Sequence, residues 1–282
     1  MKILVTGGAG VLGSGVAQAL RDRHEVTVLD LLPMETDLPQ IRLDLSDGEA
    51  ALAAIRGFDL LCHCAAIHPW KQYTDDQYLD LNIKGTYWAL KAAAENGIPR
   101  VVYTSSIAAM GYEPQTLDQL PITEDMPCRP TDHIYSITKH VGEQFCAMFH
   151  RSHGTSIAML RPPHFSPGGE GLAHALRLLW GHMEVPDLVQ AHVLAVERAP
   201  AGLHAFLTVC DTPFQREDAE TLREDPISVI GKYYPQAPDM IAREGLEVPP
   251  IRYYYSIAKA RRVLGYEPKY TFEAWLRGEW EA

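Results

Sequence analysis

Tyr135 and Lys139 stand four positions apart, and of all side chains in this sequence they form the pair best suited to moving a proton. On a helix that spacing puts both on one face, so an ammonium can stand beside a phenol. A free tyrosine titrates near pH ~10, and a cation within about 4–6 Å lowers such a group by roughly 1–3 units. The spacing therefore predicts a phenol that can act as a base. Upstream, "VVYTSSIAAMG" ends an apolar run in Thr104, Ser105 and Ser106. A hydroxyl at a strand end can hold a substrate oxygen as charge develops on it, or it can cap loose backbone groups.

Such groups need a partner reactant, and the first residues suggest one. "MKILVTGGAGVLGSG" reads as a strand over Lys2 to Val5, a glycine turn, and a helix whose apolar spacing shows in Val16, Ala19 and Leu20. Gly8 opens a G-x-G-x-x-G pattern and Gly7 a G-x-x-G-x-x-G pattern, with Gly10 and Gly13 common to both. Without side chains at these positions the chain can turn sharply, a pyrophosphate can approach the amides, and helix and strand can close up. The first helical residues, Val11 and Leu12, then offer unpaired N–H groups to an anion. A second apolar run, Val26 to Leu29, ends in Asp30, where a dinucleotide fold places the acid that binds ribose hydroxyls. An acid there repels a 2′-phosphate, and Leu31-Leu32-Pro33 brings no arginine, so NAD is expected over NADP.

The elements that position these residues alternate along the chain. Gln40 to Leu45 reads as a third strand, Glu49 to Ile55 as a helix, Phe58 to Cys64 as a fourth strand, and Asp75 to Asn96 as a long helix capped by Gly97. Arg100 to Ser105 is a fifth strand, Ile134 to His150 a helix, and Ser156 to Leu160 a sixth strand. Helices over Leu172 to Trp180 and Asp187 to Glu197, a seventh apolar run over Leu203 to Val209, and a final helix stopped at Gly265 follow. The fold class expected is α/β: a doubly wound parallel sheet with ligands at its carboxyl edge and a small C-terminal substrate lobe. The expected division is a dinucleotide-binding domain over residues 1–161 and a substrate lobe over 162–282, with elements returning to the main domain.

Bulk properties narrow the classes. With 282 residues, 46% of them hydrophobic and 22% charged, the chain can bury a substantial core. A net charge of -11 argues against nucleic acid, and no apolar stretch reads as a signal or a membrane span, so a cytoplasmic protein is expected. Five scattered cysteines do not form a disulfide framework. Cys62 and Cys64 share one face of a strand while His63 points to the other, and no metal site is expected.

Taken in order, "TGGAGVLG", Asp30, "HCAA", "NIKGT", "TSSIAAMG", "YSITK", "LRPP" and "VPDLVQAHVLAVE" resemble the extended short-chain dehydrogenases, the NAD-dependent epimerase/dehydratase family. The resemblance runs from Met1 to about Glu197, and "AKARRVLGYEP" looks like the family's closing helix. It implies Tyr135 as acid/base, Lys139 as its partner and ribose ligand, and Ser106 as donor to the substrate oxygen. It implies that Asp44 and Leu45 lie by the adenine and that Ala65 and Ala66 line the cofactor trough. Asn82 would support the active-site helix, with Thr104 and Pro162 also on the cofactor side. The reaction implied is hydride transfer between NAD and a secondary alcohol of a sugar or sugar acid, in a homodimer built through long helices.

Departures from the family pattern bear on substrate. The acid pair of the dehydratases is replaced by Ser106-Ile107-Ala108-Ala109, which argues against dehydration. His164 stands where nucleotide-sugar epimerases commonly carry asparagine, and Trp180 or Gly181 falls where they place a diphosphate-binding arginine. His68, Trp70 and Lys71 follow the fourth strand, where they could touch substrate or form a proline turn. The substrate-side candidates are thus Ser106, His68, His164 and Trp180. A nucleotide-sugar epimerase is the alternative expectation, and a non-catalytic NAD-sensing protein a second.

Overall fold

The computed structural model of the chain describes residues 1–69, 71–111, 119–165 and 169–280. Its centre is a seven-stranded sheet in the order β3-β2-β1-β4-β5-β6-β9, with every pairing parallel. The strands are β1 (Lys2–Thr6), β2 (Glu25–Asp30), β3 (Gln40–Arg42), β4 (Leu60–His63), β5 (Arg100–Thr104), β6 (Ser156–Arg161) and β9 (Leu203–Leu207). Because side chains alternate along a strand, β1 sends Ile3 and Val5 to one face and Leu4 to the other. The first face packs on α1 (Val11–Leu20) and α7 (Val185–Arg198) through Val16, Leu20, Leu188 and Ala195. The second packs on α2 (Gly48–Ala54), α4 (Gly85–Glu95) and α5 (Ile134–His153) through Ala51, Leu90, Ala93 and Phe149. Burial on both faces is why the central strands read as continuous apolar runs.

The strand order reverses between β1 and β4, and a crevice opens at their carboxyl ends. Gly7 turns there at φ +77°, and a Cβ on it would come within 2.8 Å of the Ala65 amide nitrogen. A Cβ on Gly13 would overlap the Gly7 carbonyl, so the third glycine of the pattern is what lets α1 close on the turn.

Several elements differ from the pattern reading at their ends, and two of the differences have a visible cause. The third strand stops at Arg42, because Asp44 turns the chain by accepting the Ser46 N–H at 2.9 Å and Asp47 caps α2. The long helix opens as α3 (Asp75–Gln77), widens to a π-helical stretch over Tyr78–Lys84, and continues as α4. The wider turn carries Asn82, 2% exposed, where it bonds the loop after β4 and α5.

A second apolar cluster, holding Leu172, Leu222, Ile230, Ile241 and Phe272, gathers the C-terminal helices. They are α6 (Gly171–Arg177), α8 (Ala219–Glu224), α9 (Pro226–Tyr233), α10 (Ala237–Glu244) and α12 (Phe272–Leu276), while α11 (Ala258–Leu264) packs on α7. β7 (His164–Phe165) and β8 (His182–Met183) form a short parallel pair that sets His164 against His182. No described helix is long and apolar enough to cross a membrane.

Candidate active site

At the amino end of α1 no side chain caps the helix and no acid occupies its first turn, so the N–H groups from Val11 onward face the crevice uncapped by any side chain. Asp30 is held rigidly at the end of β2, where Oδ2 accepts the Ala9 N–H at 3.0 Å and Oδ1 the Leu32 N–H at 2.9 Å. Beside it lies a cavity of about 250 Å³ lined by Asp30, Leu32, Asp44, Leu45, Ala65 and Tyr73. Its walls are mainly apolar, with carboxylates at Asp30 and Asp44, which suits a flat heteroaromatic ring joined to a sugar. Thus five of the candidates read from sequence, Gly7, Asp30, Asp44, Leu45 and Ala65, come together. Ala66 continues the same half-buried segment.

A second cavity, of about 300 Å³, opens further along the crevice. Tyr135, Ser106, His68, His164, Thr104 and Pro162 all line it. Tyr135 is at the start of α5, where His133 Nδ1 accepts its backbone N–H at 3.1 Å and caps the helix. Ser106 follows β5 with extended backbone, and its hydroxyl accepts the Ala108 N–H at 3.1 Å and bonds the Tyr135 hydroxyl. The Tyr135 hydroxyl also lies 3.3 Å from His68 Nδ1. No Lys, Arg, Asp or Glu is among the described lining residues.

Lys139 lies one helical turn below Tyr135, but its effect on the phenol differs from the sequence expectation. Its Nζ donates to the Thr104 carbonyl at 2.7 Å and stands 5.8 Å from the centre of the Tyr135 ring. Burial therefore dominates: it pushes the Tyr135 phenol above its ordinary value, and the Ser106 hydrogen bond pulls the other way. The same burial lowers the Lys139 ammonium to about 8, against the attraction of Cys64, Cys146 and Glu143. Close approach of a cation was expected to govern this pair; desolvation outweighs it.

Other candidates have different surroundings. The Thr104 hydroxyl donates to His192 Nε2 at 2.8 Å, because His192 Nδ1 gives its proton to the Leu188 carbonyl. Asn82 accepts the Ile67 N–H and donates to the Ile67 carbonyl and Thr138, so it braces the loop carrying His68 against α5. Trp180 is not at the Tyr135 cavity; it lines another, near Arg177 and Leu246. Trp70 lies outside the described residues. Cys62 and Cys64 have their thiols 3.7 Å apart on one face of the strand, while His63, kept neutral by burial with its pKa near 3, bonds Thr6 and Thr86 on the other.

Sequence reasoning passed over the buried carboxylate that braces the site. Glu143 stands four residues beyond Lys139, on the same face of α5. It takes Arg161 Nε at 2.9 Å and Nη2 at 2.8 Å, and the Ser105 hydroxyl at 2.6 Å. The 135-139-143 spacing was the available signal. His133 and His182 had none, since the residue that caps α5 and the two-residue strand β8 deliver them.

His174, His182 and Glu184 bring ligand atoms within 4.8 Å of one another. Their hydrogen bonds are those of a proton-sharing chain: Arg177, which only donates, reaches His174 Nδ1 at 2.7 Å, leaving His174 Nε2–H for Glu184 at 2.5 Å. A cation on Nε2 would require a proton on the nitrogen that Arg177 already occupies.

Residues 3–206 match the model of the NAD dependent epimerase/dehydratase family. The chain belongs to this family. Among curated members it is 33% identical to a uronate dehydrogenase of Agrobacterium fabrum, over 71% of this chain and 72% of that one. It is 30% identical to a UDP-glucose 4-epimerase of Streptomyces lividans, over 99% and 95% of the two chains. Among solved structures it is similar to a short-chain dehydrogenase/reductase superfamily protein from Agrobacterium tumefaciens with bound NAD. There the TM-score is 0.76 at 24% identity, covering 99% of this chain and 96% of that one. The family is thus NAD-dependent.

Proposed function

We propose that this protein is an NAD-dependent dehydrogenase that oxidises a secondary alcohol of a small sugar or sugar acid carrying no nucleotide. The observation that carries this reading is the size of the Tyr135 cavity, about 300 Å³. That is the lower end of the roughly 300–1,000 Å³ usual for ligand pockets. The space must accept the reactive end of a cofactor as well as the substrate, which leaves room for one sugar ring. The similarity to a uronate dehydrogenase over nearly three quarters of both chains supports the same class.

Gly7, Gly10, Val11, Leu12 and Gly13 would hold the pyrophosphate of NAD. Asp30 would hold the adenosine ribose, Asp44 and Leu45 the adenine, and Ala65, Ala66 and Pro162 the trough. NAD+, when bound, supplies the hydride acceptor. Ser106 donates to the substrate oxygen and fixes its distance from Tyr135. Tyr135 takes the hydroxyl proton as the carbon is oxidised, and Lys139, with an ammonium near 8, provides positive charge beneath the phenolate. His164, at the cavity wall against His182, offers a ring nitrogen to a substrate hydroxyl or carboxylate. The homodimer expected through the long helices accords with Ile137 and Met148, apolar side chains exposed on α5.

Mixing the pure protein with NAD+ and a panel of free sugars, uronates and UDP-sugars tests the reading. Net NADH should accumulate with a free sugar or uronate, and Tyr135→Phe should reduce that rate by about a thousandfold. The epimerase reading, favoured by the full-length similarity to a UDP-glucose 4-epimerase, instead requires a UDP-sugar to change configuration with no net NADH.

A further inference from the structure

We propose that His68 carries the proton between the Tyr135 hydroxyl and water, a role that rests on Tyr135 being the acid/base of the reaction. Among the described residues, His68 is the group whose ring nitrogen is placed against that hydroxyl. Its Nδ1 lies 3.3 Å from the phenol oxygen, its ring is tilted 45° to the Tyr135 ring at 5.6 Å, and Phe165 packs edge-on at 6.0 Å. The ring orientation is thereby set. The neighbouring groups also contact backbone: the Ser106 hydroxyl accepts the Ala108 N–H at 3.1 Å and lies 3.5 Å from the Pro162 carbonyl, and the Lys139 ammonium donates to the Thr104 carbonyl at 2.7 Å. Both lead inward to backbone. His68 is on the loop after β4, half-buried at the cavity wall and next to exposed Pro69.

The imidazole serves without holding a standing charge. Burial, with Lys139 and His164 nearby, brings its pKa down to about 3. Among the described residues, the Tyr78 and Tyr103 rings also interact electrostatically with the phenol. A neutral ring passes a proton through its two nitrogens: the Tyr135 O–H bond breaks as Nδ1–H forms, while Nε2–H breaks and its proton joins a water. Phenolate, the other neutral tautomer and hydronium result, so charge balances and no further reactant is needed. Asn82 contributes by pinning Ile67, the residue before His68, to α5.

The test compares His68→Gln, which keeps a hydrogen-bonding side chain but cannot relay, with His68→Ala. Both should lower kcat by about a hundredfold with KM within about twofold, and added imidazole should restore His68→Ala but leave His68→Gln unaffected. A raised KM at unchanged kcat, or a kcat that ignores imidazole, overturns the proposal. Exchange of the Tyr135 hydroxyl proton, followed by deuterium isotope shifts on 13Cζ-labelled tyrosine with the signal assigned by Tyr135→Phe, requires no substrate. It should slow in His68→Gln; an unchanged rate sinks the relay. Slowed exchange in a protein that turns over nothing on the panel would keep the relay and reject the dehydrogenase.

Discussion

Between Gly7 and Asp30 the crevice surface is made mainly of backbone: amides of a glycine turn, an uncapped helix end, and one carboxylate held by two N–H groups. Around Tyr135 the surface is made of side chains from β5, α5, β7 and two loops, and they hold each other through buried groups such as Glu143 and Asn82. The first region is local in sequence, so its chemistry follows from residue spacing. The second exists only once residues 68, 106, 135 and 164 meet, and its electrostatics follow from burial. That difference bears on where substitutions act: removing the Asp30 carboxylate should tell on the proposed cofactor site more than on the fold, whereas removing a buried group under the cavity should tell on stability.

The strongest challenge to this contrast is Glu143→Ala. It strands the buried Arg161 guanidinium and frees Ser105, and should cost about 3–5 kcal/mol of stability, read as a lower denaturant midpoint. A loss under about 1 kcal/mol would mean that the cavity does not depend on its buried support. Asp30→Ala should weaken NAD binding by about tenfold in calorimetry and narrow the preference over NADP, with the thermal midpoint of the free protein barely altered. Equal loss of affinity and stability would make the turn as interdependent as the cavity. The smallest effect is expected at Trp180→Ala, which should leave KM and kcat within about twofold because the indole belongs to a separate cavity. A large rise in KM would show that the Trp180 cavity reaches the substrate.

Much of the fold was legible because its signals are short-range. Apolar runs of strand length separated by helical spacing specify a parallel sheet, and Gly97 and Gly265 ended their helices as expected, at φ +71° and +73°. The π-helical stretch was not legible, since Tyr78–Lys84 has ordinary helical composition and it is the bonds of Asn82 to Ile67 and Thr138 that mark its place. Nor was the pair β7 and β8, two residues each, too short to carry a period.

By itself the sequence determined the glycine turn, the acid at the end of β2 and the shared helical face of Tyr135 and Lys139, because each depends on spacing within one or two elements. Tertiary structure alone decided that His68 meets the Tyr135 hydroxyl, that His164 meets His182, and that Trp180 stays away. It also decided the sign of the Tyr135 shift. Spacing states how near two charges can come along a helix, but the cost of burying them depends on every other element packed around the site.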